Sequence, residues 1–405
     1  MQRRNFHKGP NMQFFKIISQ KPVALIEITS FERTENPQLV KVNFTVNIKG
    51  IPIKTHLIFL PPTSENDLDH IEKKGVTWSR ECGFFSKEAV EGLEATNVGA
   101  LVGLSYPSSL GMEKLEALDQ WLRVAFYLDK IFDNLNASQP NKIYKLRMRV
   151  EDLLSGKDRI RDIDPPVIKG VYNTYFDYAF FNKMPFFKES FLECLQENEQ
   201  EAHLRLEPNL LDEETIVKIR LKSCGGYHSL VAGCASAGID AKSYFSKFTH
   251  LKTMGEQVSL CTGWSNDIVS AQDEFEERDK VLSTTDTKTY QTLNLVHNKV
   301  AHLQKAFPGK AFEELLPEAV AHVAEKFNRE VLAFFNLEIA LEKELTSKEA
   351  TAQERADVEI IKDVMKGWIK MTAWELLTQK YAHGSPCTAE TLRVFADQMA
   401  QVLSS

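Results

Sequence analysis

From about residue 86 onward, apolar residues recur at three- and four-residue spacing in segments that are rich in helix-forming residues. This spacing is the period of an amphipathic α-helix. The strongest examples are residues 111–133, 188–206, 212–224 and 315–345. A chain of 405 residues can bury a sizeable core even as a single domain. We therefore predict an all-α fold for most of the chain.

One segment before these helices has a different period. Residues 39–60 alternate apolar side chains with Lys and Asn, turn at Lys49-Gly50, and then resume with Ile51 and Ile53. A period of two that is interrupted by a glycine turn predicts a β-hairpin. We expect a small β-rich extension over residues 1–60 and a helical domain over residues 61–405.

Two charged or polar segments interrupt the helical pattern. They are residues 276–292 and 343–358, and we predict solvated loops or helix ends for both.

Charge and composition exclude several classes of protein. Lys+Arg 49 against Asp+Glu 56 gives a net charge of −7, which argues against a nucleic-acid partner bound through a general basic surface. No run of about 18 apolar residues is present, so we predict no membrane span. The six cysteines form no CxxC pair, and the N-terminus has no uninterrupted apolar signal region. We expect reduced cysteines and a cytoplasmic location.

A polar stripe interrupts one of the apolar helices. Asn266, Ser270 and Glu274 follow each other at four-residue intervals, which places them on one face of a helix. Their amide, hydroxyl and carboxylate oxygens are hard ligands that suit Mg²⁺ and are poor for zinc. Taken alone, such a stripe is more often a face turned to water.

A second acidic pair ends another apolar helix. Asp129 and Asp133 lie one helical turn apart. Two carboxylates on a buried helix need a cation or strong hydrogen bonds, because unpaired buried charge is unfavourable. Taken alone, a charged helix end with Lys130 as neighbour explains the pair equally well. Together, the two motifs predict a metal site between two facing helices.

These residues resemble the signature motifs of class I terpene synthases of the single-domain, microbial type. The aspartate-rich motif DDxxD looks like residues 129–133, and the motif NDxxSxxxE matches Asn266, Asp267, Ser270 and Glu274 at every defined position. The resemblance covers about residues 55–385. It implies a class I terpenoid synthase helical bundle around a central apolar cavity, with the hairpin as an added feature.

The resemblance also implies roles for residues outside the two motifs. Arg220 lies 46 residues before Asn266, where the family has an arginine that senses the diphosphate. Ser223 and Cys224 occupy the positions of the linker and effector at a helix break, and Gly225 follows. Lys380 and Tyr381 stand in place of the family's Arg-Tyr pair.

The implied activity is Mg²⁺-dependent ionisation and cyclisation of an acyclic prenyl diphosphate, with release of diphosphate. Three Mg²⁺ ions would be held by the residues of the two motifs. The small-residue run 224–238 slightly favours a C20 over a C15 substrate. A homodimer is a further expectation. The residues that the resemblance suggests for metal binding are Asp129, Asp133, Asn266, Ser270 and Glu274; those for catalysis are Arg220, Ser223, Cys224, Lys380 and Tyr381; and those for the hydrocarbon pocket are Phe126, Tyr175, Phe176, Phe180 and Trp374.

Each of these aromatic residues could equally be ordinary core. Three positions also depart from the family pattern: Lys130 replaces the second aspartate, Asp273 stands where a diphosphate-binding lysine is common, and Lys380 replaces arginine. Arg278 or Lys280 could supply the missing charge. These departures leave two alternatives open: a trans-prenyltransferase, and a catalytically inactive helical protein that binds diphosphate or acts as a scaffold.

Overall fold

The computed structural model describes residues 26–136, 140–284, 290–378 and 388–404, without the side chains of residues 133–140. The described part begins with a small sheet and continues as a helical bundle. The strands are β1 Ile26–Arg33, β2 Val40–Ile48 and β3 Ile51–Phe59. The helices are α1 Leu68–Glu81, α2 Lys87–Thr96, α3 Val98–Ser105, α4 Met112–Asn136, α5 Pro140–Leu154, α6 Pro166–Asp177, α7 Ala179–Asn182, α8 Pro185–Leu204, α9 Glu213–Ser223, α10 Gly226–Ser236, α11 Ala241–Lys247, α12 Thr249–Val269, α13 Ala271–Thr284, α14 Leu295–Ala306, α15 Phe312–Ser347, α16 Ala352–Leu377 and α17 Ala389–Ser404.

The sheet contains the predicted hairpin and one further strand. β2 and β3 are antiparallel neighbours that pair Ile48 with Ile51, and the two turn residues Lys49 and Gly50 both have positive φ. Along β2 buried and partly exposed residues alternate without exception, as the period of two predicts. β1 pairs with the other edge of β2 and was not predicted, because its residues are mostly exposed and do not alternate.

The sheet packs directly on the helices. The Phe59 ring lies 5.6 Å from that of Phe327 on α15. Asn328 accepts a hydrogen bond from the Ile58 amide at 2.7 Å and donates one to the His56 carbonyl at 3.3 Å. The sheet and the bundle therefore share one hydrophobic core. The domain boundary at residue 60 stays a prediction, although β3 ends at Phe59 and α1 begins at Leu68.

The all-α prediction is confirmed, and each of the four strongest periodic segments forms a helix. Parts of both charged segments are helical: residues 276–284 of the first belong to α13, and the second spans the end of α15 and the start of α16. The α16 start is fixed by a capping box, in which Thr351 and Glu354 exchange side-chain-to-backbone hydrogen bonds. Polar residues there satisfy a helix end. Among the described residues, no helix has both the length and the apolar character needed to cross a membrane.

Close packing of α16 against α3 depends on a glycine. A Cβ atom added to Gly367 would lie 2.2 Å from the Ser105 carbonyl oxygen and 2.9 Å from that of Leu104. Both neighbours are backbone atoms, which cannot turn aside as a side chain can.

We expect Gly367→Ala to lower the free energy of unfolding by about 1–3 kcal/mol, because α16 must move away from α3. Chemical denaturation measures this change. Gly309→Ala is the matched control, since no atom lies within 4 Å of the added Cβ. Equal stability of the two variants would show that the contact does not constrain the helices.

Candidate metal and diphosphate site

A central cavity of about 810 Å³ lies among α4, α8, α10, α12, α13 and α16. Part of its lining is apolar and part is charged. The apolar part includes Leu101, Leu122, Phe126, Phe191, Trp368, Met371 and Trp374. The size and the mixed lining are typical of a small-molecule site.

The polar stripe lines this cavity at a break between two helices. α12 ends at Val269, Ser270 caps it, and α13 begins at Ala271, so the continuous helix expected through this stretch is interrupted. The amides of Ser270 and Glu274 still donate to the carbonyls four residues earlier, at 2.8 and 3.1 Å. Asn266, Ser270 and Glu274 therefore stay on one side of the chain. The Ser270 hydroxyl donates to Glu274 Oε1 at 2.7 Å.

Arg220 joins this stripe from α9. Its Nη2 donates to Asn266 Oδ1 at 3.3 Å and to the fully buried Asp267, whose other oxygen accepts from the Leu295 amide at 2.9 Å. Burial opposes the charge on Arg220, but Asp267 and Glu201 outweigh it and raise the arginine's pKa. Burial also raises the pKa of Asp267 to about 7, against the opposite effect of Arg220. The charge on Asp267 near neutral pH therefore depends on Arg220.

A second helix break lies beside Arg220. α9 ends at Ser223, Cys224 follows, and Gly225 has a φ of +78° before α10 begins. A positive φ is readily adopted by glycine and costs other residues energy, so the glycine permits this break. Ser223, Cys224 and Gly225 all line the cavity. Burial raises the pKa of the Cys224 thiol, which donates to the Ser259 carbonyl at 3.3 Å, so it is neutral.

The first aspartate of the second motif lines the same cavity. Asp129 and Asn266 are both part of its lining, on α4 and α12. Among the residues that the structure describes, no three His, Cys, Asp or Glu side chains form a metal site by themselves. The candidate ligands that line the cavity include the amide of Asn266 and the hydroxyl of Ser270 as well as carboxylates. The Asp133 side chain, Lys380 and Tyr381 lie outside the described residues.

The three departures can now be placed. Lys130 and Asp273 both line the cavity, and so does Lys280, one of the two residues suggested as a replacement cation. Arg278 does not line it; this residue pairs with Asp279 at 3.2 Å and lies over the Phe275 ring. Lys280 is therefore the better placed of the two.

Only part of the expected aromatic pocket lines the cavity. Phe126 and Trp374 do, but Tyr175, Phe176 and Phe180 do not, which corrects the expectation for these three. The chain bends between α6 and α7, so these side chains point in different directions. Tyr175 packs in the core with its ring stacked 6.0 Å from Phe187. Phe176 is 41% exposed, and Phe180 packs on its own neighbours Tyr178 and Phe181.

His228, which the sequence analysis did not single out, also lines the cavity. Its Nε2 accepts a hydrogen bond from Trp121 Nε1 at 3.0 Å, so Nδ1 carries the proton and donates to Ser190 Oγ at 2.9 Å. Burial lowers the pKa of His228 to about 3. The imidazole is therefore neutral, with both nitrogens engaged.

Two glycines of α10 lie at close helix contacts. A Cβ atom on Gly233 would lie 2.8 Å from both Tyr106 and Val364. One on Gly226 would lie 3.1 Å from the Thr262 hydroxyl. Gly226 and Gly233 thus allow helices to approach closely, whereas Gly225 and Ser229 of the same run line the cavity. The preference for a C20 substrate stays a prediction.

Residues 120–297 match the family described as "Terpene synthase family 2, C-terminal metal binding". This segment contains both motifs and Arg220. The segment is thus similar to the metal-binding domain of terpene synthases. The resemblance to class I terpene synthases is thereby confirmed. A comparison with curated proteins gives no match.

Solved structures of terpene synthases share the fold of this chain. Germacradien-4-ol synthase from Streptomyces citricolor has a TM-score of 0.60 at 15% identity, over 77% of this chain and 95% of that one. Linalool/nerolidol synthase from Streptomyces clavuligerus, in complex with 2-fluorogeranyl diphosphate, has a TM-score of 0.59 at 15% identity, over 76% and 98%. Hedycaryol synthase gives 0.57 at 16% identity, over 78% and 95%.

The segment that matches the family also contains a site residue that the sequence analysis missed. Asn294 caps α14, where its Oδ1 accepts from the Val296 amide at 2.9 Å. Its Nδ2 donates to the Asp267 carbonyl at 2.8 Å, to Glu274 Oε1 at 3.1 Å and to Ser270 Oγ at 3.3 Å. One buried amide thus holds two of the candidate metal ligands. Its position as a helix cap was the available signal.

We expect Asn294→Asp to lower the free energy of unfolding by about 1–3 kcal/mol, because a buried donor is replaced by an acceptor that faces Glu274. The capping oxygen is retained, so the loss reports on the amide alone. Denaturation without added metal measures it. The exposed Asn209→Asp variant is the control, and an equal effect of both substitutions would contradict the assignment.

Proposed function

We propose that this protein is a terpene synthase that ionises and cyclises an acyclic prenyl diphosphate in a Mg²⁺-dependent reaction that releases diphosphate. The observation that carries the proposal is the shared cavity. Asp129 and the stripe of Asn266, Ser270 and Glu274 line one space together with an apolar wall. A charged headgroup and a hydrocarbon tail can therefore bind at the same time.

Acidic residues outnumber basic ones in the described part of the cavity lining. The acidic residues are Asp129, Glu201, Asp273, Glu274, Glu276, Glu277 and Glu375, and the basic ones are Lys130, Arg205, Arg220 and Lys280. A diphosphate alone would be repelled by this excess, whereas divalent cations would be attracted. The charge of the cavity thus supports a site that binds cations first and diphosphate through them.

The donor set fits Mg²⁺. Asp129, Asn266, Ser270 and Glu274 offer oxygen ligands only, and Mg²⁺ prefers oxygen. When bound, the metal would supply the positive charge that neutralises the departing diphosphate. Arg220, fixed by Asp267 at the cavity wall, would donate hydrogen bonds to the same group.

The apolar wall suits the other half of the substrate. Phe126, Trp368 and Trp374 present aromatic surface to the cavity, and Trp374 is only 1% exposed. Aromatic faces attract a cation and exclude the water that would quench it. The cavity has a volume of about 810 Å³, and small residues of the run 224–238, Gly225 and Ser229, line it. These residues support the slight preference for a C20 over a C15 chain.

The decisive experiment incubates the purified protein with C10, C15, C20 and C25 prenyl diphosphates. We expect Mg²⁺-dependent release of diphosphate and a hydrocarbon or terpene alcohol detectable by gas chromatography, and loss of both on chelation. Asn266→Ala should lower kcat by about 100-fold or more, because the metal that would neutralise the charge of the departing diphosphate loses a ligand. Asn209→Ala, an exposed loop variant, should leave the rate unchanged.

Other outcomes separate the alternatives. Chain elongation that requires isopentenyl diphosphate would identify a trans-prenyltransferase. Binding of diphosphate without turnover of any of the four substrates would identify an inactive binding protein. Unchanged turnover of Asn266→Ala would contradict the metal site.

We also propose that Lys280 supplies the cation that is absent at Asp273. Lys280→Ala should raise KM for the prenyl diphosphate by roughly 3- to 10-fold, since an exposed charge contributes a modest amount. Arg278→Ala removes an equal charge two residues away that does not line the cavity, and should leave KM unchanged. Steady-state kinetics at saturating Mg²⁺ compare the two, and equal KM values would contradict the role.

A further inference from the structure

The hairpin tip, Lys49 with Gly50, lies against the helix that carries Glu274. The Lys49 amide donates to the Gln272 side-chain oxygen, and the Lys49 ammonium pairs with Asp279 at 2.6 Å. The same ammonium lies 5.4 Å from the centre of the buried Phe275 ring. One residue of the sheet thus contacts three positions along α13.

These contacts occupy the face of α13 that is turned away from the cavity. Gln272, Phe275 and Asp279 are spaced three and four residues apart, which is one helical face. Asp273, Glu274 and the residues a turn later line the cavity instead. The hairpin tip and the cavity therefore contact opposite sides of the same helix.

The Phe275 ring that Lys49 contacts is itself held by close packing. The ring is fully buried, with its centre 3.4 Å from that of His297 and 5.3 Å from that of Phe312. Lys49 lies 5.7 Å from the Phe312 ring as well. α13 packs against α12, α14 and β2, so the strand that leads to the tip is one of its main supports.

The backbone conformation of the tip also indicates that the Lys49 side chain has a role. Lys49 has a φ of +53° and Gly50 one of +79°, as a two-residue type I′ turn requires. Asn, Asp or Gly is preferred at the first position, and a lysine there adopts an unfavourable conformation. The lysine side chain makes two contacts with α13, to Asp279 and to the Phe275 ring, which indicates that these contacts matter more than the turn.

We propose that the hairpin tip is a positioning element for the metal site: it holds α13 in the orientation that presents Glu274 to the cavity. The inference rests on the proposed function, because it assigns a role toward the Mg²⁺ ligands. It gives the sheet, which the resemblance to terpene synthases does not include, a part in the chemistry. Lys49 acts through α13 and contacts no candidate ligand.

Lys49→Asn separates the turn from the contact, since Asn-Gly is the favoured type I′ sequence. We expect the Mg²⁺ concentration for half-maximal diphosphate release to rise roughly 3- to 10-fold. Substitution of a residue that is hydrogen-bonded directly to a metal ligand would raise this concentration more. Backbone amides of residues 271–284 should exchange with deuterium faster in the metal-free protein. Overall thermal stability should change little, because the ion pair is partly exposed.

The controls use the same hairpin. Lys54→Ala removes an exposed lysine of β3 and should alter neither readout. Lys49→Asp should be worse than Lys49→Asn, because it faces Asp279, and the added change Asp279→Lys should restore both readouts. A general loss of sheet stability would not be rescued by this exchange of charges.

The outcomes are distinguishable from those of the proposed function. Absence of diphosphate release from the unaltered protein overturns the proposed function, while the exchange experiment still tests the contact. If the protein is active and Lys49→Asn changes neither the Mg²⁺ dependence nor the exchange of α13, the positioning role is overturned. An equal effect of Lys54→Ala also overturns it.

Discussion

The site depends on the hydrogen bonds that the buried carboxylate of Asp267 accepts. This carboxylate belongs to α12, accepts from Arg220 of α9, and accepts again from the Leu295 amide at the start of α14. A charge in this environment is tolerated only when it is paired and hydrogen-bonded, so the three helices must meet in one arrangement. That arrangement brings Arg220 to the cavity wall and places Asn294 over the candidate ligands.

Contacts of α13 with α14 and with the hairpin link the sheet to the cavity. α13 receives Asn294 from α14 near one end and Lys49 from the hairpin on its outer face. Neither residue is a candidate metal ligand, yet both constrain the segment that contains Glu274. A ligand set with an amide and a hydroxyl binds weakly unless its geometry is fixed beforehand, so such supports matter more here than in a site of carboxylates alone.

The sequence predicted those features that depend on local periodicity. The hairpin follows from strict alternation in β2, and the shared side of Asn266, Ser270 and Glu274 follows from four-residue spacing. Arg220 was placed only by resemblance, because 46 residues of chain separate it from Asn266.

Features that depend on tertiary packing were not predicted. Asn294 was missed because its partners come from other helices. Tyr175, Phe176 and Phe180 were misplaced because nearness in sequence says nothing about direction once the chain bends between α6 and α7. Likewise, the glycines of α10 indicated space where the structure has close contact.

The hydrogen bonds of His228 bear on whether the proposed reaction would alkylate the protein. In the proposed reaction, a carbocation formed in this cavity would be an alkylating agent, and an imidazole with a free lone pair would be its most reactive target. Here one nitrogen is protonated and the other is occupied by the Trp121 indole, so no lone pair is offered. The cavity wall can therefore contain the His228 imidazole without offering a nucleophile to the carbocation of the proposed reaction.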